Sequence, residues 1–64
     1  MIGKLILFMT TIDGQNVHEY GRVHDAVLKD GNTFYLTQYK VKTDHGTSMP
    51  IVLIKPEEIE LIED

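Results

Sequence analysis

The strongest structural signal in this chain is a β-hairpin with its tip at Asp30-Gly31-Asn32. Two runs rich in Val, Thr, Phe and Tyr flank this tip within residues 21–41. A tight turn between strands needs positive φ, which glycine adopts freely, so an Asp-Gly pair between such runs predicts a hairpin. Because an isolated hairpin is only marginally stable in water, the other segments must supply strands that cover its apolar face.

Residues 4–12 form a predicted first strand that is apolar on both faces. Its apolar side chains are Leu5, Leu7 and Met9 on one parity, and Ile6, Phe8 and Ile12 on the other. A strand with one solvated face should alternate instead. Two interpretations remain open: the outer face is covered by a loop or neighbouring segment of a small closed sheet, or it is buried at a subunit interface. The second interpretation predicts a dimer at micromolar concentrations.

Residues 13–16 are predicted to be either a turn or the start of an excursion over residues 13–20. Residues 13–16 have turn composition, and residues 17–20 are expected to belong partly to a flap. We expect the second strand to bend at Gly21, because glycine inside a strand pattern often marks a bulge or a sharp bend. Alternation alone does not decide which face of this strand is buried.

Two more strands are predicted at residues 33–42 and 51–54. Residues 44–49 between them have the composition of a turn, and Pro50 cannot donate to a sheet ladder, so the later strand begins at or after it.

Residues 56–64 are compatible with two structures. A proline followed by glutamates is a signal for the start of a helix, but a helix this short is unstable without docking. We therefore favour a 3₁₀ turn at residues 56–58 followed by a short strand at residues 59–62.

This order of elements resembles the SH3-like barrel, the superfold shared by SH3, Tudor and KOW-type domains. The Asp30-Gly31-Asn32 tip resembles the distal hairpin, residues 17–21 resemble the end of the first long loop, and residues 51–59 resemble the penultimate strand, 3₁₀ turn and last strand. The resemblance implies one all-β domain over residues 1–64, a five-stranded antiparallel SH3-like barrel with a 3₁₀ turn before the last short strand. The chain has no Trp, so the tryptophan-rich signature of peptide-binding SH3 domains is absent.

Composition narrows the functional classes. The chain has 64 residues and no Cys, which predicts one small domain without disulfides and is typical of a cytoplasmic protein. No run approaches the ~20 apolar residues of a transmembrane helix, and residues 5–9 are too short for the apolar region of a signal peptide. The net charge is −4, and half of the ten acidic residues lie in the last eight positions, so a basic stripe for nucleic acid is lacking.

No catalytic, metal or cofactor site is predicted. Asp44, His45 and Ser48 have the residue types of a hydrolase triad but fall in one turn, whereas a triad converges from a rigid scaffold. His18 and His24 would lie about 20 Å apart on a straight strand, too far to share an ion. The glycines are isolated turn or bend residues and form no phosphate-binding loop. We therefore expect no enzymatic activity and no small-molecule substrate.

The tyrosines are the candidate binding residues. Tyr35 and Tyr39 share a strand face, and Tyr20 is expected to reach them across the excursion. Three interpretations are core-edge aromatics with solvated hydroxyls, a protein contact, and a Tudor-like cage for a methylated cation. We predict a protein-contact surface containing Tyr20, Tyr35, Tyr39 and His45.

The predicted function is a small non-enzymatic protein-interaction or regulatory module. Its partner is a protein, which includes a second copy of itself as a homodimer. In type, the chain looks similar to small accessory proteins of phages and mobile elements. The alternative is a nucleic-acid-binding KOW-type barrel, in which Arg22, Lys40 and Lys42 would hold phosphates beside Tyr35 and Tyr39.

Overall fold

The computed structural model describes residues 1–63, which form an all-β fold. The strands are β1 (Leu5–Ile12), β2 (Gln15–Lys29), β3 (Asn32–Tyr39), β4 (Val41–Thr43), β5 (Gly46–Ser48), β6 (Ile51–Ile54) and β7 (Leu61–Glu63). Five of them make an antiparallel sheet in the order β6-β3-β2-β1-β7, and β4 and β5 pair separately. The predictions of an all-β class and of a five-stranded antiparallel sheet are confirmed. Asp64, the end of the acidic tail, lies outside the described residues.

The predicted hairpin at residues 30–32 is confirmed as the β2–β3 connection. Lys29 pairs with Asn32, which leaves Asp30 and Gly31 as a two-residue turn. Their φ angles are 51° and 79°, as expected for the hairpin turn whose two central residues both have positive φ. This backbone twist matches the right-handed twist of the strands on either side.

The connection between β1 and β2 is a second tight turn, which agrees with the turn alternative for residues 13–16, and the excursion over residues 13–20 is wrong. Asp13 and Gly14 repeat the φ angles of 51° and 79°, and Ile12 pairs with Gln15 directly across the turn. Residues 17–20 therefore belong to β2, which pairs with β1 without interruption, and they form no flap. The same local chemistry makes both hairpins, because each turn is an Asp-Gly pair.

The irregularity in β2 lies at His24, and not at Gly21 as predicted. Gly21 pairs with Ile6 on one side and Tyr39 on the other, so the ladder passes through it unbroken. The register shifts between Val23 and Asp25, which makes His24 the extra residue of a β-bulge. The bulge lets Val23 face the core while Asp25, two residues later, faces the opposite side.

The core lies on one face of the sheet, called the inner face here. Its buried side chains are Ile6, Phe8, Val23, Thr37 and Ile54. The burial of Ile6 and Phe8 shows that their side of β1 faces the core, and Leu5, Leu7 and Met9 therefore lie on the outer face. The Thr37 hydroxyl donates to the carbonyl oxygen of Tyr35 at 3.1 Å, which satisfies the one buried polar side chain described.

The segment between β3 and β6 is more regular than predicted. β3 ends at Tyr39 instead of residue 42, and the predicted turn at residues 44–49 contains half of the small β4–β5 hairpin. The Thr43 hydroxyl supports its tip, because it donates to the Gly46 carbonyl oxygen at 3.1 Å and accepts from the His45 backbone N–H at 3.2 Å.

The C-terminal segment adopts the turn-plus-strand structure, and the helical alternative is wrong. The 3₁₀ turn spans Pro56–Glu58 as predicted, and the last strand lies slightly later than the predicted residues 59–62. The Lys55 backbone N–H donates to the Glu58 carboxylate at 2.9 Å, which closes the turn. β7 then pairs with β1, with Leu61 opposite Leu7.

The predicted closed barrel is not formed by strand pairing. β6 and β7 are the two edges of the five-stranded sheet, and among residues 1–63 no ladder joins one edge to the other. No helix in that part of the chain is long and apolar enough to cross a membrane.

Candidate interaction surface

Two of the predicted contact residues, Tyr35 and Tyr39, lie together on the inner face. Both are half-buried and pack against the core. The Tyr39 ring meets the Phe8 ring edge to face, with centroids 5.6 Å apart and planes at 79°, the geometry that aromatic quadrupoles favour. Tyr39 therefore contributes to the core, and the shared face predicted for the two tyrosines is present.

The other two predicted residues lie elsewhere. Tyr20 pairs with Leu7 on the outer face, and 44% of its surface is exposed. His45 lies at the exposed tip of the β4–β5 hairpin. Because Tyr20 and the pair Tyr35 and Tyr39 are on opposite faces, these three rings do not form a cage around a common cation.

Tyr35 also borders a groove beside the 3₁₀ turn. The groove has a volume of about 400 Å³, and its other lining residues are Met1, Pro56, Ile59, Glu60, Leu61 and Ile62. All of these except Glu60 are apolar, so Tyr35 borders a mainly apolar groove. This position is compatible with either interpretation of Tyr35, as a core-edge aromatic or as a contact residue.

The outer face carries a contiguous apolar cluster, called the outer patch here, which consists of Leu5, Leu7, Met9, Tyr20 and Leu61. Strand register brings the cluster together, because Tyr20, Leu7 and Leu61 form one row across β2, β1 and β7. Leu5 and Met9 flank Leu7 along the same face of β1. Met9 and Leu61 are 50% and 46% exposed, so these large side chains remain in contact with water.

Polar and charged residues surround the outer patch. Glu63 and Arg22 lie on either side of Leu5, and His18 lies beside Met9. Two of these rim side chains are held in place: an Arg22 guanidinium nitrogen donates to the Gly3 carbonyl oxygen at 2.6 Å, and His18 Nε2 lies 3.0 Å from the Glu60 carboxylate. An apolar centre with a polar rim is the usual anatomy of a protein–protein interface.

The residues considered for catalysis or metal binding do not converge. Within residues 1–63, no group of three or more His, Cys, Asp or Glu side chains could hold a metal ion. Asp44, His45 and Ser48 all belong to the exposed β4–β5 hairpin. This segment has no core packing to hold a nucleophile, a base and an oxyanion hole in fixed positions.

The predicted nucleic-acid surface is divided between the two faces. Arg22 pairs with Leu5 and so lies on the outer face, whereas Tyr35 and Tyr39 lie on the inner face. A stacking platform and its phosphate contacts need to follow one continuous groove.

No family model, curated protein or solved structure matches this chain. Sequence reasoning identified the β1 part of the outer patch as unusually apolar, but it missed Leu61. No alternation marks Leu61, because Glu60 precedes it and Ile62 follows it, so its place in the outer patch follows only from the pairing of β7 with β1.

Proposed function

We propose that this protein is a small, non-enzymatic protein-interaction module that binds a partner protein through the outer patch. The observation that carries the proposal is the row of Tyr20, Leu7 and Leu61, which presents large apolar side chains to water on a sheet face with a polar rim. A small domain needs most of its apolar side chains to build its core. Apolar residues gathered on the solvated face therefore favour a role in binding over a role in folding.

The composition of the outer patch fits the energetics of protein contacts. Tyrosine is enriched among the residues that dominate binding energy, and such residues lie near the centre of an interface. Tyr20 lies directly beside Leu7, the residue at the centre of the outer patch. The net charge of −4 adds an electrostatic preference for a partner whose own surface is basic.

We further propose that the sheet is an SH3-like arrangement whose two edge strands, β6 and β7, do not pair with each other. Three features support this arrangement: the strand order β6-β3-β2-β1-β7, the tight β2–β3 hairpin, and the 3₁₀ turn that precedes β7. An NMR structure in solution tests this proposal. Cross-strand contacts between β1 and β7 are expected, and their absence would contradict it.

Affinity capture tests the binding role. The purified protein is immobilised and exposed to a lysate of its native host, and retained proteins are identified by mass spectrometry. Tyr20→Ala and Leu61→Ala should each weaken capture of the specific partner at least about fivefold, since truncating a central apolar contact costs 1 kcal/mol or more. Far-UV circular dichroism checks that both variants remain folded.

Leu28→Ala is the matched control. Leu28 is also a large apolar residue and is 74% exposed, but it lies near the tip of the β2–β3 hairpin, away from the outer patch. This variant should capture the partner as well as the unmodified protein. Equal capture by all three variants would mean that the outer patch is not the binding surface. His45→Ala in the same assay tests the separate prediction that the β4–β5 tip takes part.

A further inference from the structure

The free edge of β6 has unpaired backbone groups whose positions follow from the strand register. The Tyr39 N–H donates to the Pro50 carbonyl oxygen at 3.1 Å, which fixes the phase of the β3–β6 ladder. In an antiparallel ladder, hydrogen-bonded and non-hydrogen-bonded pairs alternate. Val52 and Ile54 therefore bond to β3, while the N–H and C=O groups of Ile51 and Leu53 point away from it.

This edge lacks most of the features that usually prevent strand addition. Natural edges are protected by short length, charged side chains, proline or bulges. β6 is only four residues long, but it contains no charged residue, proline or bulge between Ile51 and Ile54. The side chains of Ile51 and Leu53 are 59% and 42% exposed. By contrast, the opposite edge strand, β7, carries Glu63.

The ends of β6 limit the free edge to these two residues. The Lys55 N–H is already bound to the Glu58 carboxylate. Pro50 lies at a position whose nitrogen faces β3, so its missing N–H does not interrupt the outward edge. Four groups are left to pair: one donor and one acceptor on Ile51, and one donor and one acceptor on Leu53.

We propose that β6 pairs antiparallel with β6 of a second copy of this chain, about a two-fold axis at Val52. In this register Ile51 of each copy lies opposite Leu53 of the other, and all four free groups of each strand are used in four hydrogen bonds. The two five-stranded sheets become one ten-stranded sheet. The edge is separate from the outer patch, so this proposal does not depend on the proposed function.

A second copy fits this edge because the edge is complementary to itself. A two-fold interface requires that the same residues face one another in reverse order, and the pair Ile51 and Leu53 meets this condition. Moving the axis to Leu53 would require the Lys55 N–H, which is occupied. The axis at Val52 also places the two Lys55 residues about 20 Å apart, so their like charges repel weakly.

Sedimentation equilibrium tests the proposal. The contact area is small, so the unmodified protein should form a weak dimer, with a dissociation constant on the order of 0.1–1 mM. The double variants I51K/L53K and I51E/L53E should each remain monomeric, because the paired positions then carry like charges. Their equimolar mixture should form a heterodimer. A monomeric unmodified protein at these concentrations, or a mixture of folded variants that stays monomeric, would overturn the proposal.

If the charged variants fail to fold, removal of a single backbone N–H from β6 provides a second test of the dimer. Chemical synthesis of the 64-residue chain allows N-methylation of Leu53, which removes an outward N–H and keeps every side chain. Two of the four intermolecular hydrogen bonds are lost, so the dissociation constant should rise at least about tenfold. An unchanged constant would contradict the register. A dimer abolished by Leu61→Ala and unaffected by N-methylation would show self-association through the outer patch instead.

Discussion

Gly21→Ala tests whether close packing, and not backbone conformation, requires glycine in the middle of β2. A Cβ atom at this position would lie 2.5 Å from Cγ2 of Thr37, 2.9 Å from Cε1 of Phe8 and 3.1 Å from the carbonyl oxygen of Gln38. Thr37 and Phe8 are fully buried, and the third atom is backbone. None of these neighbours can move away without disturbing the core or the β2–β3 ladder.

The expected cost follows from two opposing contributions. Adding a methyl group to a filled core costs about 1–3 kcal/mol. Replacing glycine by alanine recovers about 0.4–1 kcal/mol, because the unfolded chain loses conformational freedom. The net destabilisation should be about 1–2 kcal/mol. A domain of this size has a total stability of roughly 3–10 kcal/mol, so Gly21→Ala should lower the Tm by about 5–15 °C.

Urea unfolding followed by far-UV circular dichroism measures this cost, and Thr37→Ser provides the matched partner variant. Serine removes Cγ2, the nearest clashing atom, and keeps the hydroxyl that donates to the Tyr35 carbonyl oxygen. In the double variant, the two changes should cost less than their sum by about 0.5–1 kcal/mol. The packing argument would be refuted if Gly21→Ala were as stable as the original protein. It would also be refuted if the destabilisation of the double variant equalled the sum of the two single variants.

Three other predictions concern the faces and the turn. Phe8→Lys should unfold the domain, since it places a charge in the core, whereas Leu7→Lys on the outer face should leave the circular dichroism spectrum unchanged; similar unfolding by both would contradict the assignment of faces. Gly31→Val should cost about 1–2 kcal/mol in urea unfolding, because a β-branched residue resists the φ of 79° at this turn; an unchanged midpoint would count against the turn geometry. Tyr39→Ala should lower the free energy of unfolding by about 2 kcal/mol, because the half-buried ring and its edge-to-face contact with Phe8 are lost. If urea unfolding shows no change, Tyr39 does not stabilise the core.

Local signals in the sequence are sufficient to predict most of the strands. The β2–β3 hairpin, β6 and the 3₁₀ turn each depend on a few adjacent residues with a strong conformational preference: Asp30-Gly31, an apolar run after Pro50, and Pro56 before two glutamates. The turn at Asp13-Gly14 carries the same signal as Asp30-Gly31. The sequence leaves this turn open against an excursion, because the polar residues Gln15 and Asn16 that follow it fit a loop as well as a strand.

Features that depend on pairing between distant segments were not predictable from one sequence. The core parity of β1 was undecided because both of its faces are apolar. The burial of Ile6 and Phe8 resolves it, and the missing side chain of Gly21 makes room for the Phe8 ring. The outer patch likewise combines side chains from β1, β2 and β7. A pattern within one strand cannot indicate which side chains of two other strands lie beside it.

The bulge at His24 reconciles two registers that are set independently. The turn at residues 13–14 fixes β2 against β1, and the turn at residues 30–31 fixes β3 against β2. If His24 were paired in a regular ladder, Val23 and Asp25 would share a face, and either a valine would leave the core or an aspartate would enter it. His24 is the extra residue, so its deletion should leave Val23 opposite Thr37 and Asp25 on the outer face. We expect this shortened protein to fold with a loss of about 1 kcal/mol or less.

Deletion of Arg22 is the matched control, since it shortens β2 by one residue at nearly the same place. With both turns fixed, Val23 would then face outward opposite Gln38, and His24 would take its place opposite Thr37. Losing a fully buried valine costs about 1.5–3 kcal/mol, and burying an imidazole without a partner costs more, so this protein should be largely unfolded. Arg22→Ala measures separately the loss of the hydrogen bond to the Gly3 carbonyl oxygen. If circular dichroism and urea unfolding show the two deletions to be equally stable, the bulge does not set the faces of β2, and the register on one side of it must be different.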